Sequence, residues 1–257
     1  MLEWTCFDGV TRRLAGAWRR AVPMPPVAAT PVSAAMFMAI LECGLTTADA
    51  PTLRQCASAC LDYVFMNRAE SGHYIRRGDL VIVPGDSLGF RQRRSKLTRA
   101  RLPGTRFRTT SLRGLPQLGD LLLRWEAARD NIWAAALEPP PDHFWQLPGE
   151  RAPRSATISG WFTSLLQHHP NLAHGLLDLR HHGLRAGGAS ACFALEVPER
   201  RIRAWGDWRG GSAFWRYVDV DRQPTEADFR VFGWMTIRAS DLHARLAPLF
   251  MPPPADA

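Results

Sequence analysis

Residues 79–112 interrupt a chain that otherwise reads as helix, and that interruption limits the fold to an α+β class. Upstream, apolar residues recur at helical spacing over about 32–44 (Met36, Ile40, Leu41) and 49–67 (Cys60, Val64). Downstream, Leu118, Leu121, Leu122 and Trp125 mark one face of a helix over about 116–137, which Pro139-Pro140-Pro141 ends. Further helices are predicted near 155–168, 183–195, 198–206, 210–220 and 225–247. Inside the interruption the pattern changes. Leu80-Val81-Ile82-Val83 reads as a strand and Pro84-Gly85-Asp86 as a turn. Residues 88–94 and 106–111 alternate loosely around Pro103-Gly104. The prediction is a mainly helical domain with a small antiparallel β-sheet. The proline-rich stretch Pro23 to Pro31 reads as an entry linker. The expected organisation is therefore an N-terminal extension over 1–30, one domain over 31–250 and a disordered tail over 251–257.

The interruption also concentrates charge. The whole chain carries 32 basic and 24 acidic residues, a net +8, which favours a polyanionic partner. Between Arg91 and Arg113 stand nine basic residues and no acid. Such a run repels itself unless phosphates offset it, so Arg91, Arg93, Arg94, Arg99 and Arg101 are read as contacts to double-stranded DNA. Lys96, in the same run, is the only lysine of the chain. Arginine holds its proton too tightly to release it, whereas lysine serves as a proton donor. Five scattered cysteines argue for reduced thiols in an intracellular protein rather than a disulfide framework. Cys56 and Cys60 read as small core residues, not metal ligands. No apolar run reaches membrane-spanning length, and Met1 to Arg20 has no signal-peptide pattern.

The remaining candidates lie late in the chain. His182-Gly183-Leu184-Arg185 places a histidine and an arginine on one face of a helix start. Gly206-Asp207-Trp208 follows, with Trp208 23 residues after Arg185, and Tyr217 stands nine residues beyond Trp208. His168, His169, His174, His181 and His182 have no carboxylate or cysteine spaced to complete a metal site. Gly187-Gly188 lacks a phosphate-loop pattern and reads as close helix packing.

This late constellation resembles the signature of the tyrosine recombinases, in which His-x-x-Arg precedes Gly-x-His or Gly-x-Trp and then a tyrosine. The resemblance extends upstream. Arg68-Ala69-Glu70-Ser71 ends the second predicted helix, Ile75-Arg76-Arg77-Gly78-Asp79 follows, and Lys96 comes 28 residues after Arg68, in the predicted hairpin. Phe144-Trp145-Gln146-Leu147 is similar to the family's strand before the His-Arg helix. In all, the likeness runs from about residue 24 to 247. Ser71 departs from it, because the family usually has an acid at that position, and Trp208 replaces the commoner histidine. The family also carries a helical DNA-clamping domain ahead of the catalytic one, which 30 residues do not make.

The resemblance implies a metal-independent DNA strand transferase, without cofactor, that assembles as a tetramer on DNA. It implies that Arg68 and Arg185 clamp the non-bridging phosphate oxygens. Tyr217 supplies the nucleophile and stores the bond energy as a 3′-phosphotyrosine. His182 acts as general base or assists the phosphate, Lys96 protonates the leaving 5′-oxygen, and Trp208 donates its indole N–H. Two other readings stand beside this one: a remnant that binds DNA without recombining it, and a nicking-closing enzyme similar to type IB topoisomerases.

Overall fold

The computed structural model describes residues 30–72, 74–92, 106–176, 178–208 and 211–236. Lys96, Arg93, Arg94, Arg99, Arg101 and both expected terminal extensions fall wholly or almost wholly outside these residues.

Helix α1 (Ala34–Thr46) opens on Ser33, whose hydroxyl accepts from the Met36 amide at 3.1 Å. Helix α2 (Ala50–Val64) opens in the same way on Asp49, which accepts from the Thr52 amide at 2.8 Å. α2 is the central helix. It packs against α1, against α4 (Pro116–Ala135), against α5 (Ser155–His168) and against α6 (His181–Ala194). Its residues from Cys56 to Val64 are all buried, as expected of a helix packed on several sides, and the polar Asp62 among them meets His181. Cys56 and Cys60 are fully buried in this core, and burial pushes both thiols well above their usual range. Among the described residues no helix is long and apolar enough to cross a membrane.

The sheet follows a short helix α3 (Ala69–Gly72) and has the order β1 (Leu80–Val83), β2 (Ser87–Gln92), β3 (Arg106–Ser111), antiparallel throughout. Leu80 pairs with Phe90 and Phe90 with Arg108, so Phe90, Leu88, Arg108 and Thr110 share the buried face. The remaining elements are α7 (Glu199–Trp205), α8 (Gly211–Trp215) and α9 (Glu226–Phe232), with α9 opened by a Thr225–Asp228 capping box.

Three expectations need correction. Arg68 lies beyond α2, which ends at Val64, and not within it. Tyr217 lies in the turn after α8, whose last residue is Trp215. Phe144 to Leu147 form no strand: only a bridge between Arg76 and His143 precedes them. Side chains take the carbonyls a strand would use. Trp125 and Arg129 donate to Phe144 O, Arg54 to Trp145 O and Trp133 to Gln146 O.

The glycines of α6 determine how the chain closes on itself. Residues 30–32 cross this helix, with the Val32 amide donating to Gly183 O at 2.9 Å. A Cβ on Gly187 would stand 1.9 Å from Val32 O and 2.9 Å from the Tyr63 ring. Backbone cannot yield that much. Gly187→Ala is therefore expected to cost about 3 kcal/mol, a fall of roughly 6–12 °C in Tm by calorimetry. An unchanged Tm would mean that residues 30–32 do not pack on α6.

Candidate active site

The first turn of α6 places His182 and Arg185 side by side. Two side-chain contacts tie this turn to the end of α2. The His181 ring lies 2.9 Å from the buried carboxylate of Asp62, and Arg185 Nη1 donates to Met66 O. Met66 has a left-handed backbone, φ 49°, which turns its carbonyl out of the helical path and toward Arg185. Two residues later stands Arg68, half-buried. Its charge reaches both Arg185 and His182.

Trp208 arrives from the other side. After α7 the chain turns at Gly206 and at Asp207, whose φ is 59°. The Trp208 amide returns to Arg203 O at 2.9 Å. The indole then lies over Gly206, where a Cβ would meet ring carbon Cζ3 at 1.8 Å. Only glycine admits this fold-back. The ring ends directly beneath Arg185, with the guanidinium carbon 3.7 Å from its centroid. A stacked, desolvated arginine of this kind is worth about 2 kcal/mol.

Tyr217 completes the cluster. Its hydroxyl lies 2.8 Å from His182 Nε2. Its ring centroid is 5.4 Å from that of Trp208 and 5.4 Å from the Arg185 guanidinium carbon. Ser190, two turns along α6, holds the tyrosine's turn: its hydroxyl donates to Tyr217 O at 3.2 Å and accepts from the Asp219 amide at 2.9 Å. Sequence reading passed over Ser190, because a serine that bonds only to backbone leaves no pattern.

The electrostatics follow from crowding of positive charge. Burial, then the charges of Arg185, His181 and Arg68, hold His182 below its ordinary value, so its ring is neutral at pH 7 and free to accept a proton. Burial, then Arg68, pushes Arg185 down to about 9, and it remains a cation at neutral pH. Arg185 Nε and Nη2 and Trp208 Nε1 are buried, and among the described residues none has a hydrogen-bond partner. Buried donors left so are costly, and an anion held by all three would remove that cost.

Arg68, His182, Arg185, Trp208 and Tyr217 thus come together from four separate parts of the chain. Arg91 is half-buried in the sheet, with its guanidinium carbon 4.9 Å from the centre of the Phe107 ring. Two further members of the basic run are engaged within the protein: Arg113 pairs with Asp86 at 3.0 Å, and Arg108 is buried. At the position of the expected acid, Ser71 is buried and accepts from Gln92 Nε2 at 3.1 Å.

Solved structures share this architecture. The chain is similar to the XerH site-specific recombinase bound to palindromic difH substrate in a post-cleavage complex, at TM-score 0.53 and 9% identity, over 86% of this chain and 54% of the other. It is likewise similar to XerH bound to difH substrate in a pre-cleavage complex, at TM-score 0.56 and 10% identity, over 74% and 50% of the two chains. The chain therefore spans about half the length of the recombinase chains it matches. At this identity the likeness is one of fold. No family model matches the sequence, and no curated protein matches it.

The crowding has a measurable sign. His182 is expected to titrate below the ordinary 6.5 in an NMR pH series. An unfolded histidine binds its proton near pH 6.5 and the folded one only at lower pH, so this residue adds stability above that window that is lost as pH falls through it. Arg68→Met should move the His182 midpoint upward. An unchanged midpoint would place Arg68 away from the ring.

Proposed function

We propose that this chain is the catalytic domain of a tyrosine recombinase, a metal-independent enzyme that cuts and rejoins double-stranded DNA through a 3′-phosphotyrosine. The observation that carries the reading is the Tyr217 hydroxyl on a neutral histidine, beside a buried guanidinium and an indole of which Arg185 Nε and Nη2 and Trp208 Nε1 have no partner among the described residues. A phosphodiester suits that arrangement. Its non-bridging oxygens gain negative charge as phosphorus becomes five-coordinate, and donors fixed in advance stabilise that charge.

In this reading Tyr217 attacks phosphorus and passes its phenolic proton to His182 Nε2. The bond from phosphorus to the 5′-oxygen breaks, and Lys96 gives that oxygen a proton. Arg68 and Arg185 hold the non-bridging oxygens, and Trp208 Nε1 donates to one of them. Attack by a 5′-hydroxyl of another strand reverses the step and joins new ends. Breaking one diester and forming another conserves the bond energy, so no nucleotide cofactor is consumed. Arg91, Arg93, Arg94, Arg99 and Arg101 contribute phosphate contacts, and several copies of the chain assemble on DNA as a tetramer. The setting is DNA-associated and intracellular, in a mobile element or phage that depends on integration.

The direct test is covalent capture on a pool of nicked duplexes randomised around the nick, where loss of a short 5′-fragment traps the protein on DNA. The wild-type chain should become linked through Tyr217, and Tyr217→Phe should yield no adduct. An adduct on another residue, or none at all, would sink the reading. The proton donor is tested separately. Lys96→Arg should slow cleavage about 100- to 10,000-fold while leaving DNA binding in place. A 5′-bridging sulfur leaves without a proton, so the same variant should cleave that substrate near the wild-type rate. Absence of sulfur rescue would make Lys96 a phosphate contact.

A further inference from the structure

Arg108 stands in the basic run but is 4% exposed, on the inner face of β3. Its guanidinium serves three other segments. Nη1 donates to Phe65 O at 2.5 Å and to Trp205 O at 2.9 Å, and Nη2 donates to Gln92 Oε1. Phe65 is the cap residue of α2, and Trp205 is the last residue of α7. Each lies three residues before a residue of the candidate site, Arg68 and Trp208 respectively. One side chain therefore caps two helix ends whose next turns both lead into the site.

Other contacts reinforce the junction. Phe65 and Trp205 stack with centroids 5.4 Å apart, and Trp205 Nε1 donates to Val64 O at 2.9 Å. Arg185 takes Met66 O, so two guanidiniums grip consecutive carbonyls of the loop that leads to Arg68. Gln92, which accepts from Arg108, donates to Ser71, so the same network fixes the far side of that loop.

We propose that Arg108 is a positioning residue that sets Arg68 and Trp208 relative to one another, an inference that rests on the strand-transfer reading above. The chemistry favours arginine over any other cation here. A planar fork with five donors reaches two carbonyls and an amide oxygen at once, whereas an ammonium on a single stem cannot hold that spread. Carbonyls at a helix C-terminus carry partial negative charge, and a guanidinium offsets it at both ends together. A buried charge is costly where packing alone is required, so an apolar side chain would fill the same space more cheaply.

The test uses a duplex recovered by covalent capture with the wild-type chain, made with either the normal scissile phosphate or a methylphosphonate. The methyl group removes the charged non-bridging oxygen, and with it most of the need for a clamping arginine. Arg108→Lys and Arg108→Met should bind the duplex as the wild type does but cleave the phosphate about 100-fold more slowly, the usual effect of misplacing a group by about 1 Å. On the methylphosphonate the deficit should shrink to a few-fold, as for Arg68→Ala used as a reference. Equal deficits on both substrates would make Arg108 a residue of the fold alone and overturn the proposal, as would cleavage at the wild-type rate. Arg108→Lys guards against misfolding of the methionine variant, and loss of cooperative unfolding in both would also overturn it. A wild-type chain that captures no duplex would instead fail the strand-transfer reading itself.

Discussion

The close approach of α2 to α6 at Gly187 and Gly188 determines where every charged group of the site stands. A Cβ on Gly188 would lie 2.7 Å from Tyr63 O, so this helix meets the backbone of its neighbour and not merely its side chains. Held at that distance, the first turn of α6 comes opposite the last turn of α2. Asp62 then reaches His181, and Met66 O reaches Arg185. A wider spacing would leave both side-chain contacts unmade and would separate Arg68 from Arg185. Gly188 thus governs how closely α6, which carries Arg185, approaches the helix whose end leads to Arg68.

Bringing like charges together works against folding, and the structure offsets the cost locally. Arg185 is spread over the Trp208 ring and donates to a backbone carbonyl, while burial and then Arg68 still hold it below its usual range. His182 responds by remaining neutral. In the strand-transfer reading proposed above, the cations are already desolvated and oriented, so little reorganisation would accompany the arrival of negative charge. The same features leave Arg185 Nε and Nη2 without partners among the described residues, a local cost of the arrangement.

Much of this was legible in the sequence where local pattern governs. The helical spacing of Leu118, Leu121, Leu122 and Trp125 gave α4, and the alternation around Phe90 and Arg108 gave an antiparallel sheet. The candidate residues drawn together, Arg68, His182, Arg185, Trp208 and Tyr217, came from order and spacing read against the resemblance to tyrosine recombinases. What remained hidden depends on tertiary contact. The end of helix α8 at Trp215 follows from the Ser190 bonds that draw Tyr217 and Asp219 toward α6, and residues 190 and 217 are distant in sequence. Phe144 to Leu147 have strand-like composition, yet their carbonyls are claimed by Trp125, Arg129, Arg54 and Trp133 from two helices. Propensity cannot anticipate such competition.

Those claims expose a second use of arginine in this chain. The excess of basic residues reads most simply as a mark of polyanion binding, but four buried arginines do a different task. Arg54 donates to Trp145 O, Arg129 to Phe144 O, Arg108 to Phe65 O and Trp205 O, and Arg185 to Met66 O. All of these carbonyls lie in loops or at helix ends, where no ladder of backbone bonds is present to satisfy them. A fold with a small sheet and many short connections has numerous carbonyls of this kind. Arginine suits them because its fork spans two acceptors and its charge is weakly hydrated, so burying it sacrifices less than burying lysine. The net charge of the chain therefore overstates the surface available to a polyanion. A buried guanidinium is at hand beside Tyr217 for the same reason: Arg185 holds a loop carbonyl with one nitrogen, leaves two others without partners among the described residues, and lies 3.7 Å from the Trp208 ring centre and 5.4 Å from that of Tyr217.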